Sequence, residues 1–295
     1  DMELSVFLIH YSSIRYEMII DSHTHLGRNG HIKANVTELL LSMDSSKIDK
    51  ALVFAGRLNG ITTPEMLVEI EPHRDRLYGV ASWDFGYTQQ ISGDYGTWAL
   101  GSHQSTIFSK LYQAGHIAAV KFYTGYDHYM PGSEQVRYAL EELQRVKCPV
   151  IFHCGDCLSS ACHAKLKYAH PLNIDEVAVD YPDINFIIAH VGYPWVKDTA
   201  EVCYKNKNVF TDISGFVYGE FDEQDKNKFK NVLHEFLDIA SPDKLLFGTD
   251  WPISNQHSYI EALQWVSDNT LNRKMREAFT PQYMTQNVKM AFKLV

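Results

Sequence analysis

The sequence predicts an α/β fold, a (β/α)₈ TIM barrel, regular or distorted, with helices closing its C-terminal end. Three observations predict it. Eight short, β-rich apolar runs recur through the 295 residues. Most are near-continuous rather than alternating, so both strand faces are buried, as in a parallel sheet covered by helices. Helix-like segments separate the runs with no linker or low-complexity break. An open doubly wound sheet is the competing architecture, but the chain has neither a Gly-rich dinucleotide fingerprint nor a P-loop.

The strands read Met18–Ser22, Lys50–Ala55, Leu77–Trp83, Ala118–Tyr123, Val150–His153, Asn185–His190, Val209–Ile213 and Lys244–Gly248. Asn35 is placed to cap a helix over Val36–Ser42. Thr63 and Pro64 supply a cap and a first position for a helix to Ile70. Ser133 caps a helix to Arg145 whose Val136, Leu140 and Leu143 share one side. Ile174–Asp180, Trp195–Lys205 and Asp222–Ile239 read the same way. Tyr259–Val266, Asn272–Ala278 and Pro281–Leu294 read as closing helices. Met18 sits directly before the first motif, so residues 1–17 read as an N-terminal extension and 18–295 as one domain. The leading segment lacks the basic region and cleavage site of a signal peptide.

Composition narrows the function. The net charge is -9 and the apolar fraction is 45%, ordinary for a globular protein. No dense Lys/Arg cluster is present, which argues against a nucleic-acid partner. No apolar run approaches the ~20 residues of a membrane span. The five cysteines are odd in number, and four of them crowd into one segment. That is no disulfide framework, and it points to reduced thiols in a cytoplasmic protein. Apolar helix surfaces would permit a homo-oligomer.

The chemistry starts at Ile19–Gly27, where an apolar run ends in His23-Thr24-His25. Residues i and i+2 of an extended chain share a face, so both imidazoles can aim at one point. That suits a metal ion better than a packed core. In a (β/α)₈ barrel the active site lies at the C-terminal strand ends. Reactive side chains fall there again: Lys121 in strand four, His153 after strand five, His190 after strand six and Asp250 after strand eight. Each has a plain structural reading alone: Lys121 snorkelling out of the barrel, His153 hydrogen-bonded in the core, His190 capping a strand, Asp250 in a turn. Their coincidence at one rim favours a site.

These residues, with the phrases Ile20–His25, Val120–Gly125, Val150–Asp156, Ile188–Trp195, Thr211–Gly215 and Leu246–Pro252, resemble the amidohydrolase superfamily, and most closely its amidohydrolase-2 branch. The resemblance runs from about Met18 to the end. It is specific for fold and metal site and unspecific for substrate, since the branch contains hydrolases and decarboxylases. It implies that His23, His25, His153 and Asp250 bind one divalent metal. Zinc suits three imidazoles and a carboxylate, with Mn, Fe or Ni as alternatives. Asp250 and His190 then handle protons around a metal-activated water. If a second ion is bound, His190 ligates it and a carbamylated Lys121 bridges the pair. Lys121 as an intact ammonium would instead hold a substrate carboxylate or polarise a carbonyl. Related metal-dependent deoxyribonucleases carry Glu, not Lys, after strand four, which separates this chain from them.

The expected function is hydrolysis of an amide, ester or lactone bond in a small carboxylate-bearing substrate. A non-oxidative decarboxylase of an aromatic or unsaturated acid is the alternative. A barrel that binds metal or ligand without activity is the reading outside catalysis. Substrate contacts are expected from Arg57, Tyr123, Tyr126, Asp156 and Trp251, with Asp84, His128, Tyr193 and Trp195 at the same rim. Asp156 is a candidate to orient a ligand histidine. Cys154, Cys157, Cys162 and His163 form a weaker candidate for a structural zinc site.

Overall fold

The computed structural model describes residues 18–29, 32–56, 60–83, 97–271, 276 and 278–294. Eight parallel strands form one sheet in chain order. They are β1 (Ile20–His25), β2 (Lys50–Phe54), β3 (Leu77–Ser82), β4 (Ile117–Phe122), β5 (Val150–Phe152), β6 (Phe186–Ile188), β7 (Val209–Asp212) and β8 (Leu245–Leu246). β8 is the shortest, and the chain beyond it completes the ring. Ser22 N–H donates to Phe247 O at 2.8 Å, Asp250 N–H to His23 O at 2.8 Å, and His25 N–H to Trp251 O at 2.7 Å. The barrel therefore closes between β1 and the segment that carries Asp250, which fixes that residue beside the two histidines.

The strands are apolar on both faces because each face meets its own core. Leu52, Phe54, Val80, Ala119, Ile151, Ile187 and Phe210 fill the barrel interior. The alternating strand residues Val53, Ala81, Val120, Phe122, Val150 and Phe152 face outward to Leu39, Met43, Met66, Leu140, Phe229 and Leu263 of the helices. This two-sided burial is why the runs are not alternating in sequence.

Among the described residues the α-helices are α1 (Val36–Ser46), α2 (Thr63–Ile70), α3 (Thr97–Gln113), α4 (Glu134–Arg145), α5 (Asn173–Asp180), α6 (Val196–Lys205), α7 (Glu223–Leu237), α8 (Gln256–Asp268) and α9 (Pro281–Phe292). Asn35 caps α1 as expected and forms a capping box with Glu38. For α2 the cap is Thr62, not Thr63. Thr63 is already helical, and its hydroxyl accepts instead from Ser82 N–H at 3.1 Å. Ser133 occupies the N-cap of α4 without a side-chain cap bond. α3 was not expected. Gly101, Ser102, Ser105, Thr106 and Ser109 give it weak helix propensity, and packing of Phe108 and Ser105 into the core supports it.

α9 closes the N-terminal mouth of the barrel. Its Val288, Ala291 and Phe292 join the interior cluster. Thr285 Oγ1 accepts from Ile20 N–H at 2.9 Å, and Asn287 Nδ2 donates to Leu245 O at 2.8 Å. A short antiparallel hairpin, Gly27–Asn29 with Ile32–Ala34, follows β1 and was also not expected. Residues 1–17 and most of 272–278 lie outside the described residues. Among the described residues no helix is long and apolar enough to cross a membrane.

Candidate functional site

β1 carries a bulge: Asp21 pairs with Ala51 and Thr24 with Val53, so β1 has one extra residue there. The extra length falls at Ser22 and His23. His23 is fully buried, and its ring stacks on Phe54 with centroids 4.2 Å and planes 3° apart. Its Nδ1 lies 2.9 Å from Asp212 Oδ2 and donates to it, which leaves the lone pair on Nε2. That Nε2 is buried without a hydrogen-bond partner. Asp250 Oδ1 stands 3.8 Å from it and 3.0 Å from His25 Nε2.

Electrostatics suit a ligand set. Burial drives His23 down to about 3, against the pull of Asp212, so the imidazole is neutral. Burial pushes Asp250 up, but His25 and His23 outweigh it and hold the carboxyl at about 2. Ligand atoms of His23, His25 and Asp250 lie within 4.8 Å of one another. A neutral nitrogen with nothing to bond, a second imidazole and an ionised carboxylate fit a divalent cation such as zinc. The orphaned Nε2 is the atom such an ion would satisfy.

His23, His190 and Asp212 form a second close group, but its carboxylate is committed. Asp212 Oδ2 accepts from His23 Nδ1–H, while Oδ1 accepts from His190 N–H at 2.9 Å, Ser214 N–H at 3.1 Å and the Ser214 hydroxyl. This group orients histidines rather than holding an ion. Burial raises the Asp212 carboxyl, yet His23, protonated in the acid range where this carboxyl titrates, outweighs it by charge and hydrogen bond and holds it below the ordinary carboxylate range. Ser214 Oγ lies 3.1 Å from His23 Nδ1 and 2.9 Å from His190 Nδ1. His190 Nδ1 is also 3.2 Å from Ser214 O, so its Nε2 is left for other work.

The backbone is strained here. His190, Val191 and Asp250 have φ of 62°, 47° and 67°, a region that non-glycine residues rarely adopt and that clusters at functional sites. Gly215 has φ of 68°, and a Cβ on it would lie 2.9 Å from both Asp250 Oδ2 and His190 Nδ1. Only glycine lets that backbone pass so close.

His153 stands one step away from the close group. Its Nε2 donates to Asp156 O at 3.0 Å, and its ring centroid is 5.0 Å from that of His190. Burial, with the charges of His190 and Lys121, holds it well below its ordinary value and neutral. Lys121 points inward, not out of the barrel, because it alternates with the outward Val120 and Phe122. It is 1% exposed, and Nζ has no hydrogen-bond partner. Burial lowers it to about 8, against Asp212 and Asp250.

A cavity of about 370 Å³ gathers these groups: His23, His25, Lys121, His153, His190 and Asp250 line it, with Tyr123, Tyr126 and Asp156. Tyr123 donates to Ala55 O at 3.0 Å, and the Tyr126 hydroxyl accepts from Leu158 N–H at 3.0 Å. Two of the expected contact residues act here through their backbone. Asp156 meets His153 through its backbone carbonyl, because its own side chain is exposed. Trp251 does not reach the cavity; its ring packs in the hydrophobic core, and it serves the site through its carbonyl, which accepts from His25 N–H. His128, Tyr193 and Trp195 also stay outside the lining, and Arg57 and Asp84 lie outside the described residues. The close ligand groups include neither His163 nor a cysteine, and all five cysteines are free. Sequence reasoning missed Asp212, Ser214 and the apolar wall Phe216-Val217-Tyr218. The signal was present: Asp212 ends a strand at the same rim as the other candidates.

Comparison with known proteins follows the geometry. Residues 97–280 match the profile of the Amidohydrolase family. That span includes Lys121, His153, His190 and Asp250, while His23 and His25 lie before it. Over 111 residues the chain is 25% identical to the protein fluG of Emericella nidulans, covering 37% of this chain and 11% of that protein. Among solved structures, a Burkholderia multivorans amidohydrolase with bound zinc superposes with a TM-score of 0.67 at 13% identity, covering 94% of this chain and 100% of that one. A probable 2-pyrone-4,6-dicarboxylic acid hydrolase from Acinetobacter baumannii gives 0.64 at 16% identity, over 93% and 99%. A 2,6-dihydroxybenzoate decarboxylase from Rhizobium gives 0.63 at 14% identity, over 94% and 99%. At these identities the likeness is one of fold.

Proposed function

The chain belongs to the amidohydrolase family, and from that membership we propose that it is a metal-dependent hydrolase of an amide, ester or lactone bond in a small molecule. The observation that carries the reading is the His23 Nε2 atom. It is buried and unpartnered, on a ring kept neutral, beside His25 and the ionised Asp250. His23, His25 and Asp250 would hold one divalent cation, zinc by donor type, with His153 completing the set. Such an ion supplies Lewis acidity, polarising a substrate oxygen and lowering the pKa of water at the site.

The residues of the chain do the rest. Asp212 fixes the His23 ring by accepting a hydrogen bond from Nδ1–H. Asp250 is the carboxylate placed to accept the proton of the attacking water. His190 has Nδ1 held by Ser214, so Nε2 is the atom to receive that proton and pass it to the leaving oxygen or nitrogen. The cavity is of a size to enclose a small substrate and shed water. A cytosolic location agrees with five free cysteines.

The test is a paired assay on metal-replete protein. One arm offers lactones, esters and amides of small carboxylic acids and follows acid release. The other offers hydroxybenzoates and follows carbon dioxide. Hydrolysis that disappears on chelation and returns with zinc is the expected result. Carbon dioxide release with no hydrolysis would overturn the reading in favour of a decarboxylase.

A further inference from the structure

Among the described residues Lys121 is the one Lys or Arg side chain that lines the cavity, and no hydrogen bond answers its charge. Its Nζ is buried with no hydrogen-bond partner. It lies over the rings of Phe54, 5.4 Å from the centroid, and Tyr123, 5.6 Å away. The carboxylates nearest in effect are engaged elsewhere. Asp212 is filled by His23, His190 and Ser214, and Asp250 Oδ1 bonds His25. A buried ammonium without a partner is costly, and the side that opens to the cavity is where a partner can enter.

We propose that Lys121 is an anion site that receives a carboxylate of the substrate, next to the candidate metal centre and not a ligand of it. The inference rests on the hydrolase reading of the same cavity. A bridging role would require a second ligand group, and in the one present among the described residues the Asp212 oxygens already accept the donors of three neighbours. The rest of the substrate is apolar or aromatic. Leu158, Phe216, Val217, Tyr218 and Ile253 form most of the remaining wall, with Cys157 and Ser159 as its small polar members, and the ring of Tyr123 under Lys121 continues it. The ligand class is a small carboxylate on an aromatic or alkyl skeleton.

The experiment is calorimetric titration of the full chain, as purified, with benzoate and with its neutral isostere benzamide. Metal content per chain is measured on the same samples. Wild type is expected to bind benzoate and to discriminate against benzamide. Lys121→Met is expected to weaken benzoate by about 10- to 100-fold, the range of a charged hydrogen bond, with metal content unchanged. Benzoate binding equal in wild type and Lys121→Met would place the carboxylate on the metal and overturn the proposal. So would a fall in metal content in the variant, or a ¹³C-bicarbonate-derived carbamate signal that Lys121→Met abolishes. A wild type that binds both probes equally, or neither, overturns it without any variant. Protein that never takes up metal but still binds benzoate through Lys121 would sink the hydrolase reading and leave the anion site standing.

Discussion

Asp212→Asn separates an orienting carboxylate from a ligand. The side chain accepts from three donors on Oδ1, namely His190 N–H, Ser214 N–H and the Ser214 hydroxyl, and from His23 Nδ1 on Oδ2. An asparagine must keep its oxygen toward the three donors, which turns its NH₂ toward His23 Nδ1. Two donors then face each other at 2.9 Å. His23 escapes by accepting at Nδ1, which moves its own proton to Nε2, the atom that faces Asp250. The ligand lone pair is lost. Orienting partners of metal-bound histidine are worth about 10- to 100-fold in affinity, and loss of the ligand tautomer puts this variant at the upper end, about 100-fold or 2.7 kcal/mol. Folding loses less, about 1–2 kcal/mol, because a charged acceptor becomes a neutral one. Competition against a chromogenic chelator reads the zinc affinity, and side-chain ¹⁵N shifts read the His23 tautomer. An Asp212→Asn protein that binds zinc as tightly as wild type, with Nε2 still unprotonated, would refute the reasoning.

Other consequences can be checked alongside it. Gly215→Ala adds a methyl 2.9 Å from Asp250 Oδ2 and His190 Nδ1, in a left-handed conformation costing about 1–2 kcal/mol; a lower melting temperature together with weaker zinc binding is expected, and unchanged zinc binding would contradict the packing described. Asn35→Ala removes a capping box far from the site and should cost about 1 kcal/mol in urea unfolding while leaving metal content intact. Acid should destabilise the fold through Asp250 and Asp212, whose folded pKa values lie below their unfolded ones. Their contribution is present above about pH 4 and is lost as pH falls toward 2, about 2 kcal/mol from Asp250 in order of magnitude. Denaturant midpoints that stay flat from pH 5 to 2 would contradict this.

The parts of the molecule legible in the sequence are those whose chemistry is local. The strands were readable because two-sided burial writes itself as apolar runs, and Lys50–Phe54 falls almost where the run places it. β1 was harder. It extends through His25, three residues past the apolar run, because its bulged end is held by Phe247 and Trp251 carbonyls from the far end of the chain. α3 escaped notice since its serines and glycine speak against a helix and its support comes from packing. Around the cavity, His23, His25, His153, His190 and Asp250 stand out in the sequence as reactive residues at strand ends. Asp212 and Ser214 were not, since their work is to fix other side chains, and that shows only when β1, β6 and β7 are brought side by side. Trp251 shows the opposite case: an aromatic beside Asp250 suggests a ligand contact, and the structure places its ring in the core.

The measurement that bears most directly on the central claim is metal stoichiometry on protein purified without chelators, repeated after stripping and reloading with zinc. One ion per chain is the result expected of a centre built on His23, His25, His153 and Asp250, with loss of that ion in His23→Ala and retention in Lys121→Met. Two ions per chain, or a site that stays empty after reloading, would contradict it.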